Sequence, residues 1–135
     1  MGYGNTIHLK TTFAEASERV RDALQEQGFG VLTEIDVQAT LRNKLGEEIE
    51  DYVILGACNP QLAYQALGVD RQIGLLLPCN VVVRSDGAET VVEMLDPQVM
   101  VTVTGRDELA PVAGEAAQRL RAAMDALATV ADFER

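Results

Sequence analysis

Ile73-Gly74-Leu75-Leu76-Leu77-Pro78-Cys79-Asn80-Val81-Val82-Val83-Arg84-Ser85-Asp86-Gly87-Ala88-Glu89-Thr90-Val91-Val92-Glu93-Met94-Leu95 holds the longest apolar run of the chain and then turns back on itself. Asp86-Gly87 supplies the positive backbone dihedrals of a tight turn, and Thr90 to Leu95 is a second β-prone run, so the stretch reads as a β-hairpin. At least two strands are therefore antiparallel, and a purely parallel α/β sheet is excluded. Read as one strand, Ile73 to Val83 is apolar on both sides at Leu75, Leu76, Leu77, Val81, Val82 and Val83. A sheet covered by helices on one face alternates apolar and polar residues, so something must cover the second face. The candidates are a second copy of the chain, the short helices or a ligand cavity; a second copy is the commonest way to hide such a surface, and a homodimer is expected.

Outward from the hairpin, Thr6 to Lys10 alternates as a first strand. Thr12 and Glu15 form a capping-box pair ahead of a helix whose apolar stripe is Phe13, Ala16, Val20, Ala23 and Leu24, with Gly28 as its left-handed stop. Phe29 to Ile35 reads as a second strand, and Asp36 as the N-cap of a short helix carrying Val37, Leu41 and Leu45 and ending at Gly46. Tyr52 to Ala57 reads as a third strand. Asn59 and Pro60 then suit an N-cap and first helical residue, opening a helix that closes at Gly68. Residues 98–104 have strand-like composition after a helix-like start at Asp96-Pro97, and we expect a short helix there. From Leu109 to Leu127 an alanine-rich stripe at helical spacing marks a long helix packed closely on the sheet. The order predicts one α+β domain over residues 1–135, with a curved, mostly antiparallel sheet of about five strands and two long helices packed on it.

With 135 residues, 47% of them hydrophobic, the chain can bury a core without disulfides or metals. No segment reaches the roughly 18 apolar residues of a membrane span, and the amino-terminal residues lack a basic-then-apolar leader, so a soluble, cytoplasmic protein is expected. A net charge of -10 opposes binding to nucleic acid or to anionic membranes, because phosphate contacts supply most of that affinity.

The candidate site rests on the two cysteines, in Gly56-Ala57-Cys58-Asn59-Pro60 and Leu76-Leu77-Pro78-Cys79-Asn80. Cys58 precedes a helix start, where the positive end of the helix dipole lowers a thiol pKa and a reactive thiolate becomes conceivable. The competing reading is a buried, inert thiol in a tightly packed corner. Pro78 beside Cys79 implies a bend or an edge that would aim the second thiol at a site, and pairing of the two strands would make the cysteines neighbours. Their spacing matches neither Cys-x-x-Cys nor a zinc knuckle, although Met94 and Met100 would add soft donors for copper(I). Lys44 suits the carboxyl end of its helix or an anion contact. His8 is the sole histidine, so sites needing two are excluded, and no paired-carboxylate, phosphate-loop or nucleophile-elbow motif is present.

Lys44-Leu45-Gly46, Tyr52 to Pro60, Leu77-Pro78-Cys79-Asn80 and Asp96-Pro97 together resemble the domain-of-unknown-function 302 family nearly end to end. The resemblance implies a small α+β domain similar in outline to one repeat of the TATA-binding-protein fold, and points to Cys58, Asn59, Pro60, Pro78 and Cys79 as the shared region. It implies no activity and no cofactor. The leading expectation is a non-enzymatic homodimeric module that binds a small ligand or partner near the two motifs. The alternatives are a thiol-dependent redox sensor or enzyme using Cys58, and a soft-metal (copper or zinc) binding protein.

Overall fold

Two helices and one face of a five-stranded sheet share most of the apolar side chains. The computed structural model describes residues 2–133. Its sheet contains β1 (Gly4–Leu9), β2 (Gly30–Asp36), β3 (Tyr52–Cys58), β4 (Cys79–Asp86) and β5 (Glu89–Leu95), in the order β1-β5-β4-β3-β2 and antiparallel throughout. The helices are α1 (Phe13–Glu26), α2 (Val37–Leu45), α3 (Pro60–Val69), α4 (Val99–Thr104) and α5 (Ala110–Phe133), with 3-10 turns at Arg71–Leu76 and Asp107–Leu109. The expected α+β architecture with two long helices is what the chain adopts.

Local sequence accounts for the helix boundaries. The Thr12 hydroxyl accepts the Glu15 amide at 3.1 Å, while the Glu15 carboxylate pairs with Arg19. Asp36 and Asn59 accept the amides of Ala39 and Leu62 at 2.9 and 3.1 Å, as their N-cap positions require. Gly46 and Gly105 end α2 and α4 at φ of +70°. Gly87, at φ +62°, turns the hairpin between β4 and β5.

The core lies between the sheet and the α1/α5 layer. Alternation along the strands turns Val53, Leu55 and Ala57 of β3, Cys79, Val81 and Val83 of β4, and Val92 and Met94 of β5 toward Val20 and Leu24 of α1 and Leu120 and Leu127 of α5. Full burial of each large side chain contributes about 1.5–3 kcal/mol. A second cluster joins α3, α4 and the first half of α5 through Leu62, Ile73, Met100, Leu109 and Val112.

Two expectations are corrected. Ile73 to Val83 is not one strand: Arg71–Leu76 forms a 3-10 turn, and β4 begins only at Cys79. Leu76 and Leu77 pack against the second cluster and Leu75 is 78% exposed, so these leucines say nothing about a second sheet face. A run of leucines satisfies a small helical cluster as well as a buried strand, and propensity cannot separate the two. Gly68 does not stop α3, which continues to Val69 and ends where Asp70 caps the 3-10 turn. Val37, Leu41 and Leu45 of α2 form no buried stripe, and Leu45 is largely exposed. Residues 99–104 are helical, as expected.

Gly56 marks the closest approach in the sheet. A Cβ there would lie 2.2 Å from Thr33 Oγ1 and 2.8 Å from Pro78 Cγ. Thr33 can rotate, whereas the Pro78 ring cannot. Gly56→Ala is therefore expected to cost about 1–3 kcal/mol in denaturant unfolding, with Thr33→Ala restoring only part of the loss. Full restoration by Thr33→Ala would mean that Pro78 yields.

Candidate functional site

The β3–β4 ladder brings the two cysteine motifs together. Ala57 faces Cys79 across the ladder, at the end of β3 where the chain turns into α3. Cys58 is the last residue of β3 and Cys79 the first of β4, directly after the cis Leu77-Pro78 bond. Both motifs, Asn59 and Pro78 included, line one cavity of about 30 Å³. Its remaining wall comes from Phe29, from Leu62 and Ala66 of α3, from Met100 of α4, and from Val112 and Ala116 of α5. The cavity thus lies at the seam between the two apolar clusters.

Its chemistry is dominated by carbon and sulfur. Cys79 is 9% exposed and Met100 4%, while Cys58 is part-exposed and gives the cavity a route to solvent. Burial pushes the Cys58 thiol above its usual pKa. Burial, with the neighbouring Cys58 sulfur adding to it, pushes Cys79 up to about 11. The lowered Cys58 pKa expected from the helix start is therefore corrected: burial raises it, Pro60 lacks an amide hydrogen, and the Leu62 amide is taken by Asn59. Both thiols are neutral at pH 7.

Asn59 is buried and locked from two sides. Its Oδ1 caps α3, and its Nδ2 lies against Gly28, where an added Cβ would come within 2.9 Å of it and 3.0 Å of Arg119 Nη1. Gly28 also has φ +85°, so both conformation and space require glycine there. Arg119 reaches the Gln27 carbonyl at 3.3 Å and pairs with Glu115, tying α5 to the end of α1 behind the site.

Pro60 starts α3 but is not a lining residue, and Lys44 is not brought to the site. Lys44 is exposed in the last turn of α2, which follows Asp36 and so leaves from the Val53 end of β3, opposite Cys58. His8 lies on the edge strand β1, 3.4 Å from Glu89, and forms no cysteine–histidine pair. Met94 belongs to the main core, so only Met100 of the two candidate methionines reaches the cavity. Larger depressions of about 270 and 460 Å³ lie elsewhere, one beside Ser17 and Gln38 and the other beside Leu75 and Val103, and neither is lined by a cysteine, Asn59 or Pro78. Phe29, Leu62, Val112 and Ala116 were not singled out as site residues from the sequence. Their helical and turn signals place them in elements, but nothing local tells which end of those elements meets the cysteines.

Residues 5–127 match the family described as "Domain of unknown function DUF302". The chain belongs to the DUF302 family. It is similar to the uncharacterized conserved protein DUF302 from Bacillus stearothermophilus, known from its crystal structure, with 31% identity and a TM-score of 0.87 over 94% of this chain and 99% of that one. No curated protein matches it.

The raised thiol pKa values have a direct reading in solution. Native labelling by iodoacetamide is expected to be slow at pH 7, with Cys58 reacting ahead of Cys79 and Cys79 approaching half-maximal only near pH 11. In denaturant both should label with a midpoint of about 8.5. Because the folded pKa of Cys79 lies above its unfolded value, the stabilisation is complete below the unfolded value of about 8.5 and is lost as pH rises through about 11. Relative to Cys79→Ser, the native chain should lose about 3 kcal/mol across that window. Rapid native labelling of Cys58 at neutral pH would overturn this account.

Proposed function

We propose that this DUF302 protein is a non-enzymatic binding module holding one compact ligand in the cavity between its cysteine motifs. The observation that carries the reading is the convergence of both motifs on one small apolar chamber. Its volume sets the scale: an engineered cavity of about 150 Å³ accepts benzene, and one water needs about 10–15 Å³. A ligand of one to three heavy atoms, matched to walls of carbon and sulfur, fits a space of about 30 Å³. Catalysis is disfavoured because the thiols are held protonated and no histidine or carboxylate lines the chamber.

In this reading the module is cytoplasmic, since two free thiols suit a reducing compartment. It is also a homodimer. The support is the outer sheet face, where register places Ile35, Ile54 and Val82 side by side, with Ile35 49% exposed. Arg84 and Glu93 pair in the middle of that face at 3.1 Å, leaving it locally neutral in a strongly acidic chain and fit to meet its own copy. Such a face offers nucleic acid no basic stripe. No described helix is long and apolar enough to cross a membrane.

Methyl NMR under xenon pressure tests the chamber. The methyls of Ala57, Ala63, Ala66 and Ala116 are expected to shift with saturation, and their silence would refute a ligand chamber there. Sedimentation tests the dimer: the native chain should sediment as two copies and Val82→Glu as one, and a native monomer at high micromolar concentration would refute it.

A further inference from the structure

We infer that the chamber is a copper(I) site in which Cys58 and Cys79 are thiolate ligands and the Met100 thioether is the third donor. The inference rests on the reading of the chamber as a ligand site, and names its ligand. Three elements distant in sequence, the end of β3, the start of β4 and α4, each deliver one sulfur-bearing residue to the same 30 Å³ space. The pairing of Ala57 with Cys79 holds the first two at adjacent positions of one ladder. Met100 is buried in the second cluster and lines the same chamber from α4.

The donor set selects the metal. Among the described residues no group of three or more histidine, cysteine, aspartate and glutamate side chains could hold an ion, and no carboxylate lines the chamber to suit a hard cation. Zinc favours four ligands from cysteine, histidine or carboxylate, and only two of the required type are present. Copper(I) is soft, favours thiolate and thioether, and accepts low coordination numbers, so two cysteines and one methionine suffice. The apolar wall of Leu62, Val112 and Ala116 keeps water from a cation that needs none.

Charge and access are also met. On binding, each thiol passes its proton to solvent as a sulfur–copper bond forms, and copper enters and remains as the monovalent ion, so no oxidant or reductant is consumed. Two thiolates and one monovalent ion leave a charge of -1 at the part-exposed Cys58 end of the chamber. Cys58 is the part-exposed ligand, through which an ion passes to or from a partner thiol, while Cys79 and Met100 stay inside.

The test is anaerobic titration of the reduced full-length chain with copper(I) against a bathocuproine chelator. One equivalent is expected to be retained. Cys58→Ser and Cys79→Ser should each weaken retention by about a hundredfold or more, and Met100→Leu by about tenfold. Met94→Leu, in the main core, should leave it unchanged. X-ray absorption of the loaded chain should show a sulfur-only first shell that loses one scatterer in Met100→Leu. Thermal unfolding of each variant confirms that the fold is kept. Failure to retain copper, or retention undiminished in the Cys58→Ser/Cys79→Ser double variant, overturns the inference. If xenon still reaches the alanine methyls in that case, the chamber reading stands without copper; if it does not, both fall.

Discussion

The pairing of β3 with β4 is the constraint on which the rest of the structure depends. These strands are neighbours in the sheet but are separated in sequence by α3 and a 3-10 turn, so their register must be fixed by packing and not by a tight turn. The alternation of Val53, Leu55 and Ala57 opposite Val83, Val81 and Cys79 does this, since a slip of one residue would turn every one of these side chains to the other face. The close contact of Gly56 with Thr33 and Pro78 adds a second lock at the same end. Once the register is set, the segment between the strands can only fold back as α3 and its 3-10 turn, and this segment seeds the second apolar cluster.

The site is a product of that geometry more than of any one motif. Cys58 and Cys79 end and begin paired strands, so the ladder stops there and the backbone is free to diverge around a chamber. The same arrangement decides its chemistry. An exposed cysteine at a helix start would become a thiolate, but here burial in carbon walls dominates and holds the proton on sulfur. A thiol of that kind is a poor nucleophile and a competent soft ligand once the proton is displaced.

Much of the fold was legible in the sequence because the decisive signals are local. Thr12, Asp36 and Asn59 cap helices in the structure as their side chains predict, Gly46 and Gly87 take the dihedrals that favour glycine, and the α5 stripe buries the residues its spacing selects. The error of consequence in the fold was tertiary. Leu75 to Leu77 have the composition of a strand, yet the 3-10 turn wins because Ile73 and Leu76 find partners in α3 and α4 that no local pattern announces. The site was legible as far as its cysteines, Asn59 and Pro78. Met100 entered only as a general soft donor beside Met94, because nothing near either residue in sequence says which of them faces the chamber. Lys44 shares a motif-like setting but lies at the far end of β3, a separation set by topology alone.

The placement of β1 at the edge of the sheet bears on how the chain is made. Its only strand partner is β5, so Leu9 waits for Thr90, and the Thr90 hydroxyl bonds the Thr11 carbonyl across 79 residues of sequence. On the ribosome β1 thus emerges before β2, β3 and β4 yet docks only after β5 has emerged. Closing so long a loop adds entropy only logarithmically, so final stability suffers little, but the order of events is fixed. A nascent chain that has released β4 but not β5 holds β2, β3 and β4 with one flank of the sheet open, a state whose unpaired backbone invites capture by chaperones.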